Sequence, residues 1–310
     1  MAQVEPAPIG IIGGGLMGHG IALVMARAGH LVTICDPDAA SRDSLHQRVR
    51  DSLAAMGVDE VESNQTIACI TLKEEIAETV SGAAFVFEAA PEKLPLKQSI
   101  FAEIEKHAPA DCVLASNTSV IQISLIMEGL ETRHRALGTH WWNPPHMIPL
   151  VEVVKTDWVD ETAMSAMMEL LAAVGKTPVR VEKDVPGFIG NRLQHALWRE
   201  AVSLVENGIC DARAVDTVIK ASFGRRLAVL GPLENADLVG TDLTLDIHEN
   251  VLFDLESRKG PSPYLQQLVE DGRLGMKSGE GFRTWTDEEA DELRRKVPAY
   301  LSEVSGLLKE

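Results

Sequence analysis

The chain lacks any Cys-x-x-Cys pair. Its four cysteines, Cys35, Cys69, Cys112 and Cys210, stand far apart in apolar surroundings. That spacing excludes a cysteine-held metal or a dithiol relay and leaves reduced thiols as the expectation. The chain also lacks an apolar run of the ~18 residues that a membrane helix needs, and its first residues, Met-Ala-Gln-Val-Glu-Pro-Ala-Pro, lack the basic start of a secretory leader. A cytoplasmic protein without a membrane partner is expected. Basic residues are scarce: 29 Lys and Arg stand against 46 Asp and Glu, a net charge of -17. Such a balance argues against nucleic acid or anionic membrane as a partner, and an anionic ligand would need a local basic patch. No internal repeat or low-complexity segment occurs. With 310 residues, 45% of them apolar, the chain is long enough for two domains with a large core.

Glycine is concentrated where it matters. Ile9-Gly10-Ile11-Ile12 reads as a short buried strand, and it runs into Gly13-x-Gly15-x-x-Gly18, with Leu16 and Met17 between the last two, and then into an apolar helix. Gly13 permits a tight turn, Gly15 lets backbone approach a pyrophosphate, and Gly18 lets helix pack closely on strand. The helix N-terminus then aims unpaired N–H groups at the phosphates. Gly29 ends the helix, and Leu31 to Cys35 form a second strand that closes on Asp36, eighteen residues beyond Gly18. An acid at that spacing meets the adenosine ribose hydroxyls and repels a 2′-phosphate. With Pro37 following and no adjacent arginine, the motif favours NAD over NADP.

Further along, a long polar helix (Ala39 to Met56) gives way to the apolar stretch Ile67 to Ile70 and a helical piece near Lys73 to Val80. Ala84 to Phe87 reads as a strand ending in Glu88, and Pro95 starts a helix through His107. Strands follow at Cys112 to Ala115, Arg135 to Thr139, Val151 to Val154 and Pro178 to Val181, the last two flanking a helix from Glu161 to Val174. Alternation of this kind predicts an open, mostly parallel α/β sheet of Rossmann type, with ligands at the carboxyl ends of its strands. Beyond Pro186-Gly187 the strand signal stops and helical periodicity takes over. The expected organisation is a dinucleotide-binding domain over residues 1–186, a smaller all-α domain over 187–310, and a cleft between them.

Four stretches near that cleft carry chemistry: Ser116-Asn117-Thr118-Ser119, His140-Trp141-Trp142-Asn143-Pro144-Pro145, Leu150-Val151-Glu152 and Pro186-Gly187-Phe188-Ile189-Gly190-Asn191-Arg192. In order and spacing they resemble the motifs of the 3-hydroxyacyl-CoA dehydrogenase family, from the glycine loop to Gly275-Met276-Lys277-Ser278-Gly279-Glu280-Gly281-Phe282. Trp141-Trp142 departs from the two phenylalanines of the commonest members. The resemblance implies His140 as general acid/base, Glu152 as its partner, and Ser116 and Asn191 as donors to the substrate oxygen from either side of the cleft. It also implies that Glu92, Lys97 and Asn143 contact NAD. The chemistry is consistent: oxidising a secondary alcohol removes a hydroxyl proton as hydride leaves, and an imidazole suits that task when a carboxylate fixes its tautomer. His30, His46, His107, His134 and His248 read as surface or structural, His19 as helix filler, and His146 and His195 as pocket liners. No metal is expected.

The substrate is a small β-hydroxy acid or its CoA thioester. Residues 51–72 contain no Lys or Arg, where CoA-binding members of the family place lysines, although Arg42, Arg48 and Arg50 lie just before. The reading therefore leans to a non-CoA acid, with a genuine L-3-hydroxyacyl-CoA dehydrogenase as the alternative. A ring-bearing substrate fits Trp141, Trp142 and His146, which read equally as core aromatics. Enzymes resembling 3-hydroxyisobutyrate and 6-phosphogluconate dehydrogenases use a lysine base, and the segment after Gly187 offers none. A non-catalytic NAD-binding protein would not need His140 or Glu152. Apolar residues from Leu204 to Leu233 exceed what a small bundle hides, and the resemblance implies a homodimer through that domain.

Overall fold

The computed structural model of the protein describes residues 6–307; the leader reading rests partly on Met1 to Glu5, outside that range. The chain forms two compact units. One runs through Arg192 and resumes from Pro298, and the other is Leu193–Val297.

The first unit is built on β1 (Pro8–Ile12), α1 (Leu16–Arg27), β2 (Leu31–Cys35), α2 (Ala39–Ala55), α3 (Glu60–Ala68), β3 (Ile70–Lys73), α4 (Ile76–Val80), β4 (Phe85–Glu88), α5 (Leu94–His107), β5 (Val113–Ser116), α6 (Ile123–Ile126), β6 (Ala136–Trp141), β7 (Leu150–Val154), α7 (Glu161–Ala173) and β8 (Thr177–Val181). The eight strands form one sheet in the order β3-β2-β1-β4-β5-β6-β7-β8. Every neighbouring pair is parallel except β6 and β7. The expected α/β sheet of Rossmann type is therefore present, and the order reverses between β1 and β4, where such folds hold ligands.

Successive strand residues face opposite ways, which splits the core into two clusters. Phe87 and Ala115 join α1, α2 and α7 through Ile21, Leu23, Met25, Leu45, Val49, Met164, Met167 and Leu171. Val86 and Leu114 join α5 and α6 through Phe101, Ile104, Ile123 and Ile126. Truncating one of the leucines, isoleucines, methionines or phenylalanines among them to alanine costs about 2–5 kcal/mol.

The helix α3 was not expected. Its sequence, Glu-Val-Glu-Ser-Asn-Gln-Thr-Ile-Ala, has no apolar stripe; Asp59 caps it by accepting from Glu62 N at 2.9 Å, and Arg27 pairs with Glu62 at 2.7 Å. Next come α8 (Gly190–Glu206), α9 (Ala212–Ala221), α10 (Pro232–Val239), α11 (Thr241–Val251), α12 (Pro263–Glu270) and α13 (Asp287–Leu307). Residues 193–297 contain no named strand, consistent with the expected all-α character. All four cysteines are free, and no helix among the described residues is long and apolar enough to cross a membrane.

Candidate active site

The glycine loop has the shape its sequence implies. Gly13 is left-handed, φ 100°. A Cβ on Gly18 would lie 1.8 Å from the Gly13 carbonyl oxygen, so any side chain there would drive α1 off the turn. A Cβ on Gly15 would meet nothing within 4 Å, which leaves open space where a pyrophosphate would lie against the N-terminus of α1. Leu16 is exposed at that end and Met17 packs partly on the core. Asp36, at the end of β2, accepts from Gly14 N at 2.7 Å and Ser41 Oγ at 3.1 Å through one oxygen, and from Asp38 N at 2.9 Å through the other. The loop and its acid thus form one preset unit that fits an NAD adenosine and pyrophosphate. Arg42, six residues beyond Asp36, donates to the Asp36 carbonyl at 2.8 Å. Its other arm is tied to Glu74 and away from phosphate duty.

The antiparallel pairing of β6 and β7 puts His140 directly opposite Glu152. His140 Nδ1 and Glu152 Oε2 are 2.7 Å apart, with both residues buried. Glu152 Oε1 accepts from Ile189 N at 2.8 Å and Gly190 N at 3.0 Å. Two successive left-handed residues, Gly187 at φ 76° and Phe188 at φ 49°, turn the chain so that both N–H groups converge on one carboxylate oxygen. A bulky residue in that region is strained by about 1–3 kcal/mol, and Phe188 is held there fully buried, 5.6 Å from the His140 ring. Burial pushes the Glu152 carboxyl up, but hydrogen bonds from His140, Gly190 and Ile189 outweigh it and hold the group below its usual range. As an ionised acceptor, Glu152 takes the Nδ1 hydrogen and leaves Nε2 of His140 with a free lone pair.

Because Glu152 anchors its first turn, α8 begins within the first unit. Asn191 Nδ2 donates to the Ser119 carbonyl at 2.9 Å, so Ser116 and Asn191 stand in one compact unit instead of on separate domains.

A buried charge cluster lies beside them. Glu88, Lys97 and Ser116 are all 0% exposed. Lys97 Nζ donates to Glu88 Oε1 and Oε2 at 2.8 and 3.0 Å, Ser116 Oγ donates to Oε2 at 2.6 Å, and Ala90 N donates to Oε1 at 2.7 Å. Burial raises the Glu88 carboxyl against the pull of Lys97, Ser116 and Ala90. Removing one partner of such a pair costs about 3–5 kcal/mol. Lys97 also reaches the carbonyls of Ala90 and Asn117 at 3.3 and 3.5 Å, so it braces the loops around the site from beneath. Ser116, for its part, has its hydrogen committed to Glu88. Glu88 itself was read only as the end of a strand; a carboxylate closing a fully apolar strand was the available signal.

Glu92 accepts from Thr118 Oγ1 and from Ser119 N and Val120 N at 3.0 and 3.3 Å, fixing the turn after β5. Burial raises its carboxyl, and the Thr118 hydroxyl, Lys97 and these N–H groups bring it below its usual range. Asn143 is exposed beyond β6. Asn117 Oδ1, in the Ser116–Ser119 motif but given no role by the sequence, accepts from Trp141 N at 3.0 Å.

The two tryptophans part company. Trp141 is a core residue, edge-on to Phe87 with ring centroids 6.0 Å apart. Trp142 lies against His140, centroids 5.1 Å apart. His19 is buried, its Nδ1 3.1 Å from the Gly15 carbonyl, and His146 lies 6.2 Å from it, ring to ring. Burial lowers both, His146 to about 4. Among the described residues no cluster of three metal-ligating side chains occurs.

A dinucleotide loop with an acid at the ribose position, and a buried imidazole–carboxylate pair on β6 and β7 of the same sheet, define an NAD-dependent dehydrogenase acting on CH–OH groups. Comparison with known proteins gives the same class. The 3-hydroxyacyl-CoA dehydrogenase NAD binding domain matches residues 8–185, and the C-terminal domain of those enzymes matches residues 187–285. The chain belongs to the 3-hydroxyacyl-CoA dehydrogenase family. It is 33% identical over 304 residues to 5-formyl-3-hydroxy-2-methylpyridine 4-carboxylate 5-dehydrogenase of Mesorhizobium japonicum, covering 97% of this chain and 98% of the relative. It is 36% identical over 285 residues to 3-hydroxybutyryl-CoA dehydrogenase of Mycobacterium tuberculosis, covering 89% and 98%. The crystal structure of a 5-dehydrogenase of the first kind, described as an NAD+ dependent dismutase, superposes with a TM-score of 0.90 at 32% identity, over 98% of this chain and 99% of that one.

Proposed function

We propose that the protein oxidises the hydroxyl of a free β-hydroxy acid, with His140 as the base. The observation that carries this reading is the buried 2.7 Å bond between His140 Nδ1 and Glu152, which presents Nε2 as an acceptor. Bound NAD supplies the hydride acceptor. His140 Nε2 takes the hydroxyl proton, and Glu152 favours the imidazolium that results. Asn191 keeps one amide hydrogen beyond the one given to Ser119, and this hydrogen steadies the developing charge on the substrate oxygen. Ser116 joins by turning its hydroxyl hydrogen away from Glu88, which retains Lys97 and Ala90 as partners.

A free acid is favoured over a CoA ester because CoA phosphates call for unengaged cations. Residues 51–72 supply none, and of the three arginines before them Arg42 is paired with Glu74, while Arg48 donates to the Ser41 carbonyl at 2.9 Å and Arg50 to Asn64 at 3.3 Å. The Mesorhizobium relative, named for a pyridine carboxylate, is a member without a CoA ester in its name. Following NADH formation with free 3-hydroxy acids and with 3-hydroxybutyryl-CoA tests the reading. A higher kcat/KM for the acids is expected, and a strong preference for the thioester would overturn it.

Two further expectations accompany this proposal. Asp36→Ala relaxes the preference for NAD over NADP by about tenfold, the scale of one lost ribose interaction; an unchanged ratio of kcat/KM values would show that Asp36 does not read the ribose. The protein is also a homodimer through the segment 193–297, where Val229, Leu233 and Phe253 are 77, 79 and 82% exposed. A monomer mass by sedimentation at micromolar concentration would refute the dimer.

A further inference from the structure

Trp142 follows His140 by two residues and continues its face beyond the end of β6. Its indole is 5.1 Å from the imidazole, centroid to centroid, tilted by 48°. Gly190, in the turn that anchors Glu152, makes room for it: a Cβ there would lie 2.4 Å from the six-membered ring of the indole. The large ring is thus seated against both the base and the turn that holds the base's partner. Its Nε1–H is buried and has no hydrogen-bond partner among the described residues. A buried indole N–H ordinarily finds an acceptor, and leaving that bond unmade is unfavourable. Trp141 Nε1 is unpartnered too, but it belongs to a residue enclosed in the core, whereas Trp142 is only half-buried and touches the reacting group.

An unused donor beside a base has a chemical meaning. The substrate that supplies a proton to His140 can also supply the acceptor for Trp142, a few atoms from its carbinol carbon. We propose that Trp142 is a specificity-determining residue whose Nε1–H donates to the carboxylate of a free β-hydroxy acid. The inference rests on the reading of His140 as base. It selects the ionised acid over an ester because a donor bonds a carboxylate oxygen more strongly than a neutral carbonyl. The two phenylalanines common at these positions in the resembling family have no such hydrogen to give.

The test compares β-oxo acids with their own methyl esters, run as NADH-dependent reduction so that the free carboxylate is the difference: acetoacetate against methyl acetoacetate, and benzoylacetate against methyl benzoylacetate. In the wild type the KM for the acid is expected to lie about tenfold or more below that for its ester in at least one pair. In Trp142→Phe that gap closes through a higher KM for the acid, while kcat and the Kd for NADH stay within about threefold. Phenylalanine is smaller than tryptophan and leaves the Gly190 turn unobstructed, and the wild-type ratio tests the idea even if the variant does not fold. Equal KM values for acid and ester in the wild type, inactivity with both acids, or a gap that survives in Trp142→Phe would each overturn the proposal. His140→Ala separates the two readings: full activity in that variant defeats the base assignment, whatever the ester comparison shows.

Discussion

Glu152→Gln lowers kcat by about 10³-fold or more, the scale seen when the orienting acid of a serine-protease triad becomes an amide. The reason is directional. Glu152 Oε1 accepts two backbone hydrogens, from Ile189 and Gly190. A glutamine must keep its carbonyl oxygen there, because its NH2 group would face two donors, so the NH2 group falls opposite His140 Nδ1. That nitrogen then becomes an acceptor, the ring hydrogen moves to Nε2, and the lone pair that takes the substrate proton is gone. The variant keeps its shape and its NAD loop, so NADH binding followed by fluorescence is expected to stay within about twofold of wild type. A fall in kcat of less than about tenfold would mean that Glu152 does not set the tautomer.

The second large effect comes from the base itself. His140→Ala lowers kcat by about 10²-fold or more, the usual contribution of a positioned acid or base. The Kd for NADH is unchanged, since among the described residues no hydrogen bond links His140 to the glycine loop and the ring bonds instead to Glu152. Steady-state kinetics with a binding titration checks both halves, and equal losses in turnover and in cofactor affinity would contradict the role. Removing the imidazole also leaves the Glu152 carboxylate buried without its largest partner. A loss of stability of a few kcal/mol is therefore expected in urea unfolding.

Much of this site was legible in the sequence because motif order and strand periodicity report local facts. The strand, glycine turn, helix, strand and acid through Asp36 all lie within one βαβ unit. The pairing of His140 with Glu152 was implied by the family resemblance alone, since no local pattern shows that β6 and β7 run antiparallel with the two residues opposite each other. What could not be read was long-range. Lys97 lies nine residues beyond Glu88, and only the packing of α5 against β4 and β5 shows that its ammonium points inward to Glu88. Ser116 looked like a free donor because nothing local shows Glu88 beneath it. Asn191 looked like part of the second domain until Glu152 was seen to hold the start of α8. The helix α3 escaped because a cap and an ion pair hold it where periodicity gives no signal. Trp142 could be placed only once the side of β6 that carries His140 was known.

The pH dependence of single-turnover NADH formation, measured in wild type and in His140→Ala, tests the central claim most directly. A base must be unprotonated to accept the hydroxyl proton, so the wild-type rate constant should fall on acidification along a one-proton limb. In His140→Ala the rate should be low and that limb absent. If the variant retains the wild-type rate and the same acid limb, the proton leaves by another group and the assignment of His140 fails.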